Sequence, residues 1–290
     1  MSGLVTIASD RLSAQIAPQG AELQRLTDGE GRELLWDGNP AVWAGRAPIL
    51  FPIVGMLRDD HFRYDGQDYS LPRHGFARRR DFAIVEQGPA SATFRLEADD
   101  ATRAAWPFEF RLDMRFTITG VAIAMRAIVT NLSDKPMPTS FGFHPALRWP
   151  LPGGGAREDH AVLFDEPEPA PIRRLDAKGL IDPVPMPSPV DGRRLALSDA
   201  LFAFDALIFD RPVSRRLVYG ADGATRVAIS YDGMPALGLW SKPGAGFLCV
   251  EPWQGYSDFA DSSGDIADKK GTVTLAAGGT RDFAMTIALL

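Results

Sequence analysis

From Phe108 to Thr119 the chain alternates without a slip. Phe108, Phe110, Leu112, Met114, Phe116 and Ile118 are interleaved with Glu109, Arg111, Asp113, Arg115, Thr117 and Thr119. A side-chain period of two puts every apolar residue of this run on one face and every polar one on the other. The pattern predicts a long antiparallel strand with one face on a core and one in water. Gly120 punctuates it, and the run from 121 to 130 resumes as the return strand of a hairpin.

Shorter β runs recur along the chain, at residues 12–17, 82–86, 92–97, 207–209, 216–219, 226–230, 237–240, 247–250, 273–275 and 283–289. Gly, Pro, Asn and Asp separate them, and helical periodicity is nearly absent. This indicates an all-β protein, a sandwich or a barrel. One short helix is expected over residues 100–106, opened by Asp99 or Asp100 as a cap and stopped before Pro107. Nine of the 23 prolines fall between Pro150 and Pro189. Proline cannot donate to a sheet ladder, so loops or edge strands are expected there. The same β patterning resumes afterwards without linker composition or internal repeat, so residues 1–290 are read as a single domain.

The composition excludes several function classes. Thirty-one basic residues against 37 acidic ones leave a net charge of −6, which argues against binding a nucleic-acid backbone. The opening MSGLVTIASD carries neither a basic leader nor a sustained apolar segment. The longest apolar stretch, from Ala47 to Leu57, is too short to span a bilayer and contains Pro48 and Pro52. The single cysteine, Cys249, lies in an apolar run as a buried thiol would and fits a reducing cytoplasm. The four histidines show no metal-ligand spacing, so no metal is expected.

Four segments interrupt the apolar pattern with ionisable groups. In SFGFHPAL, His144 sits between Phe143 and Pro145, and Pro145 holds it extended. An imidazole in such a setting serves as a general acid or base, or as a core histidine bonded to a carbonyl. In LCVEPWQGYSD, Glu251 closes an apolar run, as a structural ion-pair partner or as a working base. Trp253 offers a face for the C–H surface of a sugar, or simply core volume. In GRAPILFPIVG, Arg46 is a forked donor for hydroxyls or a side chain snorkelling from the core edge. In LPRHGFARRRDF, His74 is a candidate ligand-binding residue, whereas Arg78, Arg79 and Arg80 read as a solvated face.

Together these segments resemble the aldose 1-epimerase (galactose mutarotase-like) family, most closely its LacX-like bacterial branch. The resemblance begins at Trp36 and GRAPILFPIVG and passes through LPRHGFARRRDF, DDATRAAWPFEF, VTNLSDKPMPTSFGFHPAL and FAFDALIF. It ends at LCVEPWQGYSD and a C-terminal strand pair. It implies a large antiparallel β-sandwich, the galactose mutarotase-like supersandwich, with one or two short helices and a cleft on a concave sheet. It implies that His144 protonates the pyranose ring oxygen and that Glu251 takes the proton of the C1 hydroxyl. Arg46, His74 and Asp205 would hold the sugar, with Trp253 beside it, and no metal or organic cofactor is implied. Two positions depart from the expected pattern. Phe204 stands where a polar residue such as Asn is expected, and Tyr256 where a basic one is common. Asp205 is also readable as a turn or capping aspartate.

The expected activity is interconversion of α and β anomers of a free aldose by a cytoplasmic monomer or homodimer, with no nucleic-acid or membrane partner. Two further readings stand beside it. Arg46, Arg73 and the Arg78–Arg80 cluster are able to receive phosphate, as in a hexose-6-phosphate 1-epimerase. The same cleft also suits a non-catalytic carbohydrate-binding or sensor protein.

Overall fold

The computed structural model describes residues 3–290. Its largest element is a nine-stranded antiparallel sheet. From edge to edge its strands are Arg194–Ala196, Ala161–Phe164, Arg216–Gly220, Arg226–Asp232, Thr280–Leu289, Ala122–Asn131, Phe110–Thr119, Ser91–Glu97 and Ala83–Gln87. The alternating run forms the strand Phe110–Thr119. Phe110, Leu112, Met114, Phe116 and Ile118 are each at most 3% exposed. On the opposite face Asp113 is held by Arg95, whose Nε and Nη2 donate to its two carboxylate oxygens at 2.6 and 3.1 Å. The hairpin partner is Ala122–Asn131, in register from Ala122 opposite Thr119 to Asn131 opposite Phe110.

A six-stranded sheet packs across that core. Its order is Leu207–Phe209, Ala236–Trp240, Phe247–Gln254, Phe141–Phe143 and Ile49–Leu50, and Ala146–Arg148 also pairs with Phe247–Gln254. Residues alternate between its two faces. Leu207, Phe209, Leu237, Leu239, Leu248, Val250, Phe141 and Phe143 belong to the large core shared with the nine-stranded sheet. Ile208, Ala236, Trp253 and Leu50 form a separate small cluster on the other face. The molecule is thus an antiparallel sandwich whose smaller sheet is covered on both sides. A three-stranded sheet from Val5–Ala8, Leu12–Ala17 and Glu22–Asp28 adds to the core.

The α-helix covers Asp100–Ala105, with Asp99 as its cap. Asp99 Oδ1 accepts from Thr102 N at 2.6 Å, and Thr102 Oγ1 accepts from Asp99 N at 2.8 Å, a reciprocal capping box. It ends one residue before the expected Trp106, because the residue preceding Pro107 is driven to extended backbone. The proline-rich stretch is mostly loop, as expected. Its strand Ala161–Phe164 contains no proline and is internal, paired on both sides. No helix among the described residues is long and apolar enough to cross a membrane.

Candidate active site

The six-stranded sheet is interrupted at one place. Phe141–Phe143 and Ala146–Arg148 both pair with Phe247–Gln254 in one continuous register, Gly142 opposite Trp253 and Ala146 opposite Cys249. His144 and Pro145 lie between them. Continuing that register sets His144 opposite Glu251. Val250 N donates to Pro145 O at 3.2 Å, so the His144–Glu251 position is of the non-hydrogen-bonded type, whose side chains lie closest. Each of the two residues is followed by a proline, Pro145 and Pro252. The prolines withhold one donor on either side of the pair and open the ladder around it. Glu251 therefore sits inside a strand that runs on to Gln254, not at its end as the apolar run suggested. Pro252 is tolerated because its missing donor faces the interruption.

His144 Nε2 lies 3.1 Å from Glu251 Oε2. His144 is 8% exposed and Glu251 1%. Burial depresses the imidazole to about 3, with the Arg78 and Arg73 charges adding to the fall. Burial pushes the Glu251 carboxyl well above the usual carboxylate range, against the pull of Arg73. Burial thus drives both groups toward their neutral forms, imidazole and carboxylic acid.

The pair forms part of the wall of a cavity of about 240 Å³. This lies just below the ~300–1,000 Å³ of sites for drug-sized ligands and suits a small molecule. Trp253 lies on the same face, and a Cβ on Gly142 or on Gly238 would come within 2.6 Å of its ring. Those two glycines let the indole lie flat across three strands. Trp240, at the end of its strand, and Trp43, from the loop before Arg46, complete an aromatic wall.

His74 lines the cavity on left-handed backbone, φ 67°, and so does Asp205, φ 64°. Such conformations cost about 1–3 kcal/mol for most residues and persist only where the surroundings hold them. His74 is held by a reciprocal pair, its N donating to Gly55 O at 2.8 Å and Gly55 N donating to its Nδ1 at 3.0 Å. The second bond fixes the neutral tautomer, which leaves Nε2–H as a donor. Burial, followed by the charges of His144 and Arg73, holds this ring well below its ordinary range. Asp205 Oδ1 accepts from Ala206 N at 2.8 Å, and Oδ2 stands 3.9 Å from Arg73. It is a turn aspartate that also faces the cavity.

Of the sequence-derived candidates, His144, Glu251, His74, Asp205 and Trp253 converge on this cavity and Arg46 does not. Arg46 Nη1 donates to Gln24 O at 2.8 Å, and its side chain packs over Gly38. Its position is taken by Arg73 and Arg78, which line the cavity with Lys242. Arg78 is therefore not part of a solvated face. It is partly buried, donates to Arg73 O at 2.9 Å, and is lowered to about 10 by burial and the neighbouring arginines. Trp43, Trp240 and Lys242 had no local signal, since each reaches the site from a loop or strand end whose neighbours are ordinary. His144, Cys249 and Glu251 bring nitrogen, sulfur and oxygen donors within 4.8 Å, a grouping invisible to residue spacing. Burial pushes the Cys249 thiol well above its ordinary range, and a metal there would have to displace its proton.

Comparisons with known proteins agree on one family. The family model described as aldose 1-epimerase matches residues 3–274. Protein LacX of Lactococcus lactis is 32% identical over 275 residues, covering 91% of this chain and 92% of that protein. A galactose mutarotase-like protein from Lactobacillus casei superimposes with a TM-score of 0.92 at 28% identity, over 99% of this chain and 100% of that one. A putative glucose-6-phosphate 1-epimerase of Salmonella typhimurium is 29% identical over 125 residues, 40% of each chain.

Proposed function

The chain belongs to the aldose 1-epimerase family, and from that premise we propose that it interconverts the α and β anomers of a free aldose by acid–base ring opening and reclosure. The observation that carries this reading is the buried contact between His144 Nε2 and Glu251 Oε2 in the wall of a sugar-sized cavity. Opening a cyclic hemiacetal removes a proton from O1 and delivers one to O5. Both oxygens are bonded to C1, so the group that takes and the group that gives must be neighbours.

A pair holding one shared proton exists in two tautomers of equal net charge, imidazolium with carboxylate and imidazole with carboxylic acid. In the first, His144 gives its proton to O5 while Glu251 takes the one from O1. The C1–O5 bond breaks, a carbonyl forms at C1, and the pair is left in its second tautomer. Rotation about C1–C2 presents the other face of the aldehyde. Reclosure then reverses both transfers and restores the first tautomer. No net proton enters or leaves, and the net charge of the pair is the same at every stage. Each group contributes about 10²–10⁴-fold. In this reading the His74 Nε2–H donor, the Asp205 carboxylate and Arg73, which line the cavity, orient hydroxyls, and Trp253 offers a flat apolar face to the ring's C–H groups.

Polarimetry or NMR of freshly dissolved α-aldoses tests the reading. Accelerated approach to anomeric equilibrium is expected, and no acceleration across a panel of hexoses and pentoses would sink it. Turnover that survives in His144→Asn would remove the pair from the mechanism. Sugar binding without turnover would favour a carbohydrate-binding or sensor role.

One observation favours a second reading, a hexose-6-phosphate 1-epimerase. Arg73, Arg78 and Lys242 all line the cavity, and the Salmonella relative carries that name. Side-by-side rates on glucose and glucose 6-phosphate separate the two, and a preference for the phosphate would select the second.

A further inference from the structure

A buried histidine that moves protons is ordinarily oriented by a hydrogen bond on its second nitrogen. His144 lacks one. Its Nδ1 is buried and meets only its own backbone, outside hydrogen-bonding geometry. The ring is instead enclosed by aromatic groups. Trp43 stacks on it with centroids 5.2 Å apart and planes at 27°. Trp240 and His74 meet it edge-on, at 5.7 Å and 78° and at 6.0 Å and 89°.

Trp43 is itself delivered by design of the loop. Trp36 Nε1 donates to Trp43 O at 2.8 Å, and Lys242 Nζ donates to Val42 O at 2.5 Å, pinning the loop at two adjacent carbonyls. Gly45 leaves room for the indole to fold back, since a Cβ there would lie 2.5 Å from Trp43 Cζ2. Phe247 and Trp240, each 5.3 Å away, support the indole from other sides.

We infer that Trp43 is the positioning residue of the acid–base histidine, its stacked indole doing for His144 what a hydrogen bond on the second nitrogen does elsewhere. The inference rests on the reading of His144 and Glu251 as the proton-transfer pair. The indole fixes the ring plane, so that Nε2 stays aimed at Glu251 and at the sugar oxygens. It excludes water from one face of the ring and presents its π face to the imidazolium that gives up its proton in opening and is restored in reclosure. The titratable and charged groups around His144 are Glu251 and Cys249 from the opposing strand and His74 edge-on, with Arg73, Arg78, Asp205 and Lys242 lining the same cavity.

Trp43→Ala, Trp43→Phe and Gly45→Ala test this, the last displacing the indole without deleting it. Trp43→Ala is expected to lower kcat about 10²-fold, the scale of a misaimed catalytic group, with KM little changed. Trp43→Phe should retain most of kcat, and Gly45→Ala should fall between the two. In the substrate-free protein, NMR titration of isotope-labelled histidines should show the His144 ring moving toward an ordinary imidazole range in Trp43→Ala. The buried His160, held by Leu151 N and Ala156 O away from the site, reports that the fold is intact by its unchanged shifts. Unchanged kcat and unchanged His144 titration, with only KM raised, would make Trp43 a sugar platform and overturn the inference. A wild type without turnover on any sugar would defeat the epimerase reading alone, because the NMR titration still decides whether Trp43 governs the His144 ring.

Discussion

The two large sheets share a core but obey different rules. In the nine-stranded sheet the strand Phe110–Thr119 buries one face and turns Arg115 and Thr119 to water. The strand Phe247–Gln254 of the six-stranded sheet is buried at every one of its eight residues. The first has a side to spare for solubility and no site. The second faces the common core with Leu248 and Val250 and presents Cys249, Glu251 and Trp253 to the cavity side. A sheet covered on both faces can hold ionisable groups away from water, and there burial shifts their protonation. The difference teaches that the regular sheet has only a core to serve, whereas the interrupted one keeps ionisable groups away from water.

The sharpest way to break that division is Glu251→Gln, or His144→Asn, each close in shape to the residue it replaces. Either should reduce anomer exchange by about 10²–10⁴-fold, read by NMR exchange rates, with the far-UV spectrum unchanged. A variant keeping wild-type rates would show that chemistry does not belong to the interrupted sheet. The converse change is Phe116→Ala in the regular sheet, which should cost about 3–5 kcal/mol of stability by denaturant unfolding. Activity per folded molecule should hold, and its loss would mean the sheets are not separable in this sense.

The pH dependence of stability sharpens the comparison further. An unfolded imidazole takes a proton near 6.5, whereas buried His144 resists it down to about 3. Between those values the unfolded chain binds a proton that the native one does not, so this group lowers stability as pH falls. The Tm of His144→Asn relative to wild type should therefore rise as pH drops through that window. A gap that stays constant would show that the ring is not held neutral. The smallest effect concerns the arginines. Arg73→Ala should raise KM by about tenfold, the scale of a hydrogen bond from a charged donor. Arg46→Ala, turned onto Gln24 O, should leave KM within about twofold. The opposite ranking would restore Arg46 to the sugar and require its side chain to swing inward.

Much of the sandwich was legible in the chain because period-two patterning is a property of near neighbours. The alternating strand, its hairpin partner and Leu12–Ala17, Leu207–Phe209 and Val273–Leu275 stand where the pattern set them. Val5–Ala8 and Glu22–Asp28 carried no comparable signal, since their pairing comes from the strand between them. Among the candidate residues, His144, Glu251 and His74 were marked by charge amid apolar neighbours, and that mark survives folding. Arg46 carried the same mark and yet faces away, because which way an arginine turns depends on partners such as Gln24 that are distant in sequence. Trp43 and Trp240 carried no mark at all, as an aromatic residue reads equally as core.

By itself, then, the sequence determined an all-β chain, a capped helix ending before Pro107, and motifs that belong to one family. The pairing of His144 with Glu251 was decided by the tertiary structure alone. Only when Phe247–Gln254 pairs in register with both flanks of the His144 interruption does Nε2 come within 3.1 Å of Glu251. Only the cover on both faces takes that contact out of water and pushes both groups toward neutrality. Which strands distant in sequence pair, and what covers their faces, are consequences of packing that no local pattern encodes.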